Sequence, residues 1–269
     1  MNNITLPSDD RLLLFGYGLF ETLLITSRGP QLLQSHWQRM RDGAKVLKLS
    51  LPDFSIWSQQ IQSFLNASPS KPPYALRVTL SGGAPIQDHP PQLLFQNRSF
   101  PYTASHYENG IRLFLLPTPR NEFSPLTKIK STNYLENILA KEEALRNNAE
   151  EGVWFNSQKF IVEGTMSNIF FVSKRTLFTP SLNCGCLPGT RRSLILELAV
   201  KLKIPVYEGL YSQEDLLLAD EVFLSNALMG IMPVQRINDH SFKIVPSDHT
   251  NSLTRSLMEE LKQALHDNS

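Results

Sequence analysis

Hydrophobic and polar positions follow two different periods along the first third of the chain, and the period separates predicted strands from predicted helices. The run LFETLLI, residues 19 to 25, is apolar, is closed by the turn SRG, and predicts a strand. In residues 35 to 49, Trp37, Met40, Ala44 and Leu47 recur at helical spacing and predict a helix. The same reasoning predicts a helix over 52–67 and strands over 74–83, 91–100 and 110–118.

The second half of the chain begins with a helix. Asn133 and Glu136 have the spacing of a capping box, with Asn133 as the N-cap. After them, Leu135, Ile138, Leu139 and Leu145 line one helical face. The remaining pattern predicts strands over 152–156, 159–164, 168–172, 176–180, 205–209 and 221–226, and helices over about 190–202, 212–219 and from about 250.

This order of elements predicts an α+β or α/β protein with strands in both halves. The proline-rich segment PTPRNEFSPLT, residues 117 to 127, is the best candidate for a crossing between domains. We therefore expect a smaller N-terminal α/β domain over 1–116 and a larger C-terminal one over 117–269. A cleft between two such domains is a natural place for a small-molecule site.

Composition narrows the functional class. The formal net charge is +1, which argues against a nucleic-acid-binding protein and gives no support for a membrane surface. The most apolar window, residues 12 to 25, is interrupted by Gly16, Gly18 and Glu21 and is too short to cross a bilayer. The start lacks the pattern of a secretory signal, and Cys184 and Cys186 are the only cysteines, so we expect a cytoplasmic protein without disulfides. The histidines have no metal-ligand spacing, so no metal site is expected.

The residues that could carry chemistry are dispersed along the chain. They are Arg39, Lys130, Glu163, the turn LPGTRR at 187–192 and the turn SNALMG at 225–230. Taken singly, each has a structural explanation: a solvated arginine, a surface amine, or a structural ion pair. Glu163 is the least ordinary, because it lies between two apolar strand segments where a carboxylate needs a partner.

Together these groups match what pyridoxal 5'-phosphate requires from a protein. A lysine must hold the cofactor's aldehyde covalently and later move protons. A carboxylate must keep the pyridine nitrogen protonated. An arginine and the N–H groups of turns or helix starts must bind the phosphate, and LPGTRRSLILELA is a turn that runs into a helix.

Six sequence blocks, in order, resemble one family of enzymes that use this cofactor. The blocks are FGYGLFET, HWQRM, KSTNYLENILAKEEA, IVEGTMSNIFFV, CLPGTRRSLI and ADEVFLSNALMGIMPV. They resemble the fold-type IV pyridoxal-phosphate enzymes, which include branched-chain and D-amino-acid aminotransferases and aminodeoxychorismate lyases. The resemblance implies a two-domain fold with the active site between the domains, a small-molecule substrate and a homodimer.

The resemblance also assigns roles to residues. Lys130 corresponds to the catalytic lysine that carries the cofactor, and Glu163 corresponds to the carboxylate on the pyridine nitrogen. The other implied cofactor contacts are Arg39 on the phosphate, Tyr134 on the phenolic oxygen, Leu187 against the ring, Thr190 and Arg191 in one phosphate-binding turn, and Asn226 and Ala227 in the second.

Within the family, the details favour a lyase that releases pyruvate from 4-amino-4-deoxychorismate and gives 4-aminobenzoate for folate synthesis. The block SNALMGIMPV resembles the lyases, whereas transaminases more often carry hydroxyl residues there. The sequence that leads up to Lys130 and the short length of the chain also favour a lyase. The alternatives are a branched-chain or D-amino-acid aminotransferase and, from another class, a non-catalytic relative that keeps the fold as a binding module.

Substrate contacts are expected from arginines, because the lyase substrate has two carboxylates. Arg77, Arg120 and Tyr17 are the candidates.

The chain departs from the family pattern in three places. Tyr17 stands where many relatives have Asp, Arg191 stands where many have Thr, and the usual opening strand is missing, so that the chain starts late.

Overall fold

The computed structural model of the protein describes residues 5–84, 89–244 and 252–267, and these residues form two compact units. Unit 1 contains the described residues up to Pro101 together with Ile129–Tyr134. Unit 2 contains Tyr102–Lys128 and Leu135–Asp267.

This division differs from the predicted boundary between residues 116 and 117. The strand at Ile111–Leu115 belongs to unit 2, because it pairs in parallel with two strands of that unit, at Gly230–Ile237 and Glu151–Phe155. The proline-rich segment 117–127 also stays in unit 2. The chain enters unit 1 again only at Ile129 and leaves it after Tyr134.

Unit 1 is an antiparallel sheet with helices. Its elements are α1 (Arg11–Phe15), β1 (Leu19–Thr26), β2 (Gly29–Pro30), α2 (Leu33–Leu47), α3 (Phe54–Ala67), β3 (Tyr74–Leu80) and β4 (Leu93–Ser99). The strand order is β2-β1-β3-β4, with β1 and β3 paired from Leu19↔Leu80 to Ile25↔Tyr74. Met40 of α2 and Trp57 of α3 are buried in the same apolar core as the inner strands. The predicted helices and strands of this region are confirmed.

The segment 129–134 completes unit 1. The side chain of Ile129 is buried in the core of this unit, next to Gly43 of α2. The Phe20 N–H donates to the Lys130 carbonyl at 2.9 Å, and the Thr132 N–H donates to the Gly18 carbonyl at 2.9 Å. The segment therefore pairs with the start of β1 through an isolated antiparallel bridge between Leu19 and Ser131, and these contacts fix the backbone of Lys130.

Unit 2 is built on a larger mixed sheet. Its elements are α4 (Ala104–Asn109), β5 (Ile111–Leu115), α5 (Leu135–Arg146), β6 (Glu151–Phe155), β7 (Ile161–Gly164), β8 (Asn168–Ser173), β9 (Thr176–Pro180), α6 (Thr190–Lys201), β10 (Val206–Gly209), α7 (Gln213–Leu217), β11 (Glu221–Asn226), β12 (Gly230–Ile237), β13 (His240–Ser241) and α8 (Leu253–Asp267). The described strands follow the order β10-β9-β8-β11-β12-β5-β6-β7, and β13 pairs with β12. Pairs β9–β10, β12–β5 and β5–β6 are parallel.

The strand β12 was not predicted, although it lies inside this sheet. Its sequence contains Pro233, and a proline usually indicates an edge strand because it cannot donate to a neighbour. In the structure Pro233 lies opposite Phe223 of β11. The short helices α1 and α4 were also missed.

Helix α5 differs from its predicted form at its start, and its apolar face is exposed. The capping box requires a first helical residue at 134, whereas the helix begins at Leu135. The residues that α5 buries are Asn137, Ala140 and Ala144. The four apolar residues that the spacing placed on one face are exposed: Leu135 by 65%, Ile138 by 40%, Leu139 by 53% and Leu145 by 56%.

In the described part of the chain, each helix is too short or too polar to cross a membrane. Within the same residues, His, Cys, Asp and Glu side chains form no group of three or more that could hold a metal ion.

Candidate active site

Lys130 lies against aromatic rings within unit 1. Its Nζ is 4.5 Å from the ring centroid of Phe20 and 5.6 Å from that of Tyr134. These two rings meet edge to face at 5.1 Å. A cation on an aromatic face is attracted by the ring quadrupole, so the rings help to orient the ammonium group. Tyr134 and Lys130 are therefore neighbours, and the contact predicted between Tyr134 and the phenolic oxygen of the cofactor stays a prediction.

The phenyl ring of Phe20 is also in contact with a second cation. The Arg77 guanidinium lies 3.7 Å from the ring centroid, and its Nε donates to Thr79 Oγ1 at 3.2 Å. Burial and, to a smaller extent, the neighbouring Arg98 lower the pKa of Arg77 to about 10, while Tyr134 has the opposite effect. Among the described residues Arg77 forms no ion pair, so its charge is available for an anionic ligand.

Tyr17 is less available for a ligand. Its hydroxyl donates to the Leu47 carbonyl at 2.6 Å, and the Arg11 guanidinium lies 4.5 Å from its ring centroid. The hydroxyl proton is thus used within unit 1, although the ring edge can still contact an apolar group.

Arg39 is held by a buried carboxylate that sequence reasoning missed. Glu21 of β1 accepts from Arg39 Nε at 2.9 Å and from Nη2 at 2.6 Å, and its Oε2 lies 2.6 Å from His36 Nδ1. Glu21 is fully buried. Burial tends to raise the pKa of this carboxyl, but Arg39 and His36 outweigh it and lower the pKa to about 2.

Glu163 on β7 is buried and has different partners on its two oxygens. Its Oε2 accepts from the Leu187 N–H at 3.0 Å and from Asn168 Nδ2 at 3.4 Å. Its Oε1 lies 3.8 Å from Arg120 Nη2. A buried carboxylate needs such compensation. The arrangement matches the prediction that Glu163 has a partner, and it brings Leu187 and Glu163 together.

The turn before α6 is tied to the same carboxylate. Asn168 Nδ2 also donates to the Leu187 carbonyl at 2.9 Å. Gly189, the N-cap of α6, lies so close to Asn168 Oδ1 that an added Cβ would overlap it. A glycine N-cap supplies no side-chain acceptor to the first turn, which suits an anion at the positive end of a 12-residue helix. Thr190 begins this helix, as predicted.

Arg191 connects the two turns that the resemblance assigns to the phosphate. It is 2% exposed, and its Nη2 donates to the Ala227 carbonyl at 3.3 Å. Burial lowers the pKa of Arg191 to about 10, so the guanidinium remains charged at neutral pH. Because this residue replaces the usual threonine, the chain has an additional cation between the turns.

The second turn is stabilised by the side chain of Asn226. Its Oδ1 accepts from the Leu228 and Met229 N–H groups, each at 2.9 Å. Its Nδ2 donates to the Met166 carbonyl and to the Tyr102 hydroxyl, each at 3.2 Å. Asn226 therefore shapes the backbone of this turn and leaves Ala227, with its small side chain, beside Arg191.

Three functional candidates were missed: Glu21, His36 and Asn168. Glu21 carries the signal that singled out Glu163, since it is a carboxylate inside the apolar run LFETLLI. His36 lies on the buried face of α2 with Met40. Asn168 starts an otherwise apolar strand. A search for polar residues in apolar strands would have found Glu21 and Asn168.

Comparison with known proteins identifies the family. The model of the amino-transferase class IV family matches residues 18–237. Aminodeoxychorismate lyase of Bacillus subtilis is 28% identical over 271 residues, covering 96% of this chain and 90% of the relative. Branched-chain-amino-acid aminotransferase of Salmonella typhimurium is 29% identical over 244 residues, covering 83% of this chain and 77% of the relative. The crystal structure of 4-amino-4-deoxychorismate lyase from Pseudomonas aeruginosa superimposes with a TM-score of 0.85 at 31% identity, covering 97% of this chain and 96% of that one.

The chain therefore belongs to the amino-transferase class IV family and has the fold of its fold-type IV members. Its cofactor is pyridoxal 5'-phosphate. The residues of unit 2 fit this cofactor, because a buried carboxylate with amide donors suits the charged pyridine nitrogen. The glycine-capped start of α6 suits its phosphate.

Proposed function

We propose that this protein is a 4-amino-4-deoxychorismate lyase, which eliminates pyruvate from its substrate and gives 4-aminobenzoate for folate biosynthesis. The observation that carries the proposal is the buried Glu163 carboxylate, held by the Leu187 amide and Asn168 and faced by Arg120. The choice of reaction is supported by the Bacillus lyase, which covers more of the chain than the Salmonella transaminase does.

Lys130 is the catalytic residue in this proposal. Its amine would hold the aldehyde of the cofactor and, when free, would remove the proton from the amine-bearing carbon of the substrate as a general base. When bound, the cofactor supplies a ring that accepts the electrons of that C–H bond. The C–O bond to the enolpyruvyl group then breaks with its electron pair. The released enolpyruvate takes up a proton at carbon to become pyruvate, and the carbocycle becomes aromatic.

The other cofactor contacts follow the family resemblance. Glu163 holds the proton on the ring nitrogen, and Leu187 packs against the ring. The phosphate is bound by Arg39 and by the two turns containing Thr190 and Arg191, and Asn226 and Ala227. Tyr134 orients the phenolic oxygen of the cofactor. These roles are supported by the contacts that fix each side chain within its unit.

For the substrate carboxylates, Arg77 is the best candidate. Its charge is not compensated by a carboxylate among the described residues, and it shares the ring of Phe20 with Lys130. An arginine with open donors can bind a carboxylate through two parallel hydrogen bonds. Tyr17 is left with an apolar contact, because its hydroxyl proton is used by Leu47.

A transaminase is the second candidate, because it needs the same cofactor residues and the Salmonella aminotransferase matches much of the chain. The two reactions are distinguished by incubating the purified protein with aminodeoxychorismate and reading 4-aminobenzoate directly. A parallel sample receives branched-chain or D-amino acids with 2-oxoglutarate. Release of 4-aminobenzoate and pyruvate supports the proposal, whereas fast glutamate formation without 4-aminobenzoate would replace the lyase with a transaminase.

Lys130→Ala tests whether the protein is an enzyme at all. We expect the absorbance band of the covalently attached cofactor to disappear and the rate to fall by about 10²–10⁴-fold, as when a general base is removed. Lys128→Ala, two positions earlier, is the matched control and should keep both properties. A wild-type protein that shows no such band, or a variant that retains it, would favour a non-catalytic binding module.

We also propose a homodimer in the cytoplasm. The exposed leucines and isoleucine of α5 support a dimer, because a contiguous apolar helix face is usually covered in a stable assembly. The two cysteines are free and buried, which agrees with a reducing compartment.

A further inference from the structure

The Arg120 guanidinium is buried next to the carboxylate at the centre of the candidate site. Its backbone is anchored at the end of β6, where the Arg120 N–H donates to the Phe155 carbonyl at 2.8 Å. The side chain is 10% exposed. Its guanidinium lies 4.3 Å from the ring centroid of Trp154, which is 1% exposed. The indole supports the cation from one side and limits its movement.

Two carboxylates face this guanidinium at the same distance, but they are not equivalent. Arg120 Nη2 lies 3.8 Å from Glu163 Oε1, and Nη1 lies 3.8 Å from Glu136 Oε2. The Glu136 side chain is 61% exposed, so solvent screens that pair, whereas the Glu163 side chain is 7% exposed. The attraction that matters is therefore the one between Arg120 and Glu163.

The two oxygens of Glu163 have complementary surroundings. Amide groups of Leu187 and Asn168 donate to Oε2, and Arg120 faces Oε1. At 3.8 Å the guanidinium is too far for a hydrogen bond. Arg120 Nε and Nη1 also make no hydrogen bond within the described residues. Arg120 thus acts through its charge, and the amides fix the direction of the carboxylate.

Arg77 differs from Arg120 in the charges that surround it. It faces no carboxylate among the described residues, whereas the charge of Arg120 is already compensated by the buried Glu163. A cation beside a buried carboxylate attracts a second carboxylate weakly. The geometry favours Arg77 for an anionic substrate and a different role for Arg120.

We propose that Arg120 is a positioning residue which acts through Glu163 and does not bind the substrate. It compensates the charge of the buried carboxylate, so that Glu163 is kept in the charged form and orientation that the cofactor ring nitrogen needs. The inference rests on the proposed role of Glu163 in cofactor binding.

The pair can first be tested in the apoprotein, where no cofactor is involved. Thermal unfolding is measured for the wild type, Arg120→Met, Glu163→Gln and the double variant. Arg120→Met should lower the melting temperature, because it leaves a buried carboxylate without its cation, and Glu163→Gln should restore most of the loss. Arg112→Met, an exposed arginine in β5, is the matched control. Additive losses would show that the two residues are not coupled and would overturn the proposal.

In a second experiment, the dissociation constant of pyridoxal 5'-phosphate is measured by absorbance titration of the same four apoproteins and of Arg120→Lys. We expect Arg120→Met to weaken binding by about tenfold, Arg120→Lys to recover part of it, and the double variant to match Glu163→Gln. In the lyase assay, kcat should fall and the KM for aminodeoxychorismate should stay within about twofold, as for a lost transition-state interaction.

The opposite pattern would overturn the proposal. If Arg120→Met raises KM and leaves cofactor affinity unchanged, Arg120 binds the substrate. Failure of the proposed function would look different: the wild type would not bind the cofactor, or Glu163→Gln would bind it as tightly as the wild type. Either result would mean that Arg120 has no role in cofactor binding. The coupling between Arg120 and Glu163 could still be measured by thermal unfolding of the apoprotein.

Discussion

At the scale of single residues, buried charges carry most of the candidate chemistry, and each has identifiable partners. Glu21 is surrounded by Arg39 and His36, whereas Glu163 has amides on one oxygen and a distant guanidinium on the other. Glu21 therefore serves to hold Arg39 in place. Glu163 is suited to a partner that is not part of the chain.

The acid sensitivity of folding should depend on Glu21. Its pKa in the folded protein is about 2, below the ordinary value of 4.5, so its ionisation stabilises the fold above pH 4.5. This contribution, about 3 kcal/mol for such a shift, is lost as the pH falls from 4.5 towards 2. Glu21→Gln should therefore lower the free energy of unfolding at neutral pH, and its difference from the wild type should shrink across this window.

Urea unfolding at several pH values provides the measurement. Glu197→Gln, which removes an exposed carboxylate from α6, is the control and should follow the wild type. A Glu21→Gln protein with the same stability as the wild type at every pH would contradict the role assigned to the Arg39 pair.

At the scale of elements, α5 is unusual because it buries small and polar residues and exposes large apolar ones. Asn137 donates to the Thr165 carbonyl at 2.7 Å, and Ala140 and Ala144 allow close packing on the sheet. The exposed face is apolar, with Leu139 at 53% and Leu135 at 65% exposure. An apolar face of this kind is expected at a subunit interface.

Leu139→Glu should consequently weaken the proposed dimer without destabilising the monomer. A buried charge at the centre of an apolar interface costs several kcal/mol, whereas the same charge on an exposed monomer surface has little effect. Light scattering after size-exclusion chromatography should show a shift towards the monomer. Leu218→Glu, an equally drastic change at a leucine exposed by 74% outside α5, should not alter the mass. If both variants remain dimers, α5 is not the interface.

At the scale of the whole molecule, binding of the cofactor should increase the stability of the folded chain by mass action. A ligand that binds only the folded chain stabilises it by about 2.7 kcal/mol at one hundred times its dissociation constant. Pyridoxal 5'-phosphate should therefore raise the melting temperature of the apoprotein by roughly 5–10 °C.

Differential scanning fluorimetry with and without the cofactor measures this shift. Lys130→Ala should show a smaller rise, because it keeps the contacts to phosphate and ring but cannot form the covalent attachment. Equal shifts in both proteins would mean that the lysine contributes nothing to binding.

Much of this molecule could be predicted from its sequence, and the failures have physical causes. Periodicity found α2, α3, α6 and the apolar strands, because each buries a regular face. It missed β12, whose Pro233 is tolerated opposite Phe223 inside the sheet. It identified the leucines of α5 but not their exposure, since a covered and an uncovered face have the same spacing. Glu163 was found because a carboxylate in an apolar strand is rare, and Glu21 was missed although it carries the same signal.

The return of residues 129–134 to unit 1 has an evolutionary consequence. Lys130, the proposed catalytic residue, is encoded between two stretches of unit 2, yet its backbone pairs with β1 and its neighbour Ile129 fills the core beside α2. A chimaera that exchanged only the first hundred residues with a relative would separate that core from the six residues that complete it. Recombination within the family should therefore succeed when the first hundred residues and residues 129–134 come from the same parent.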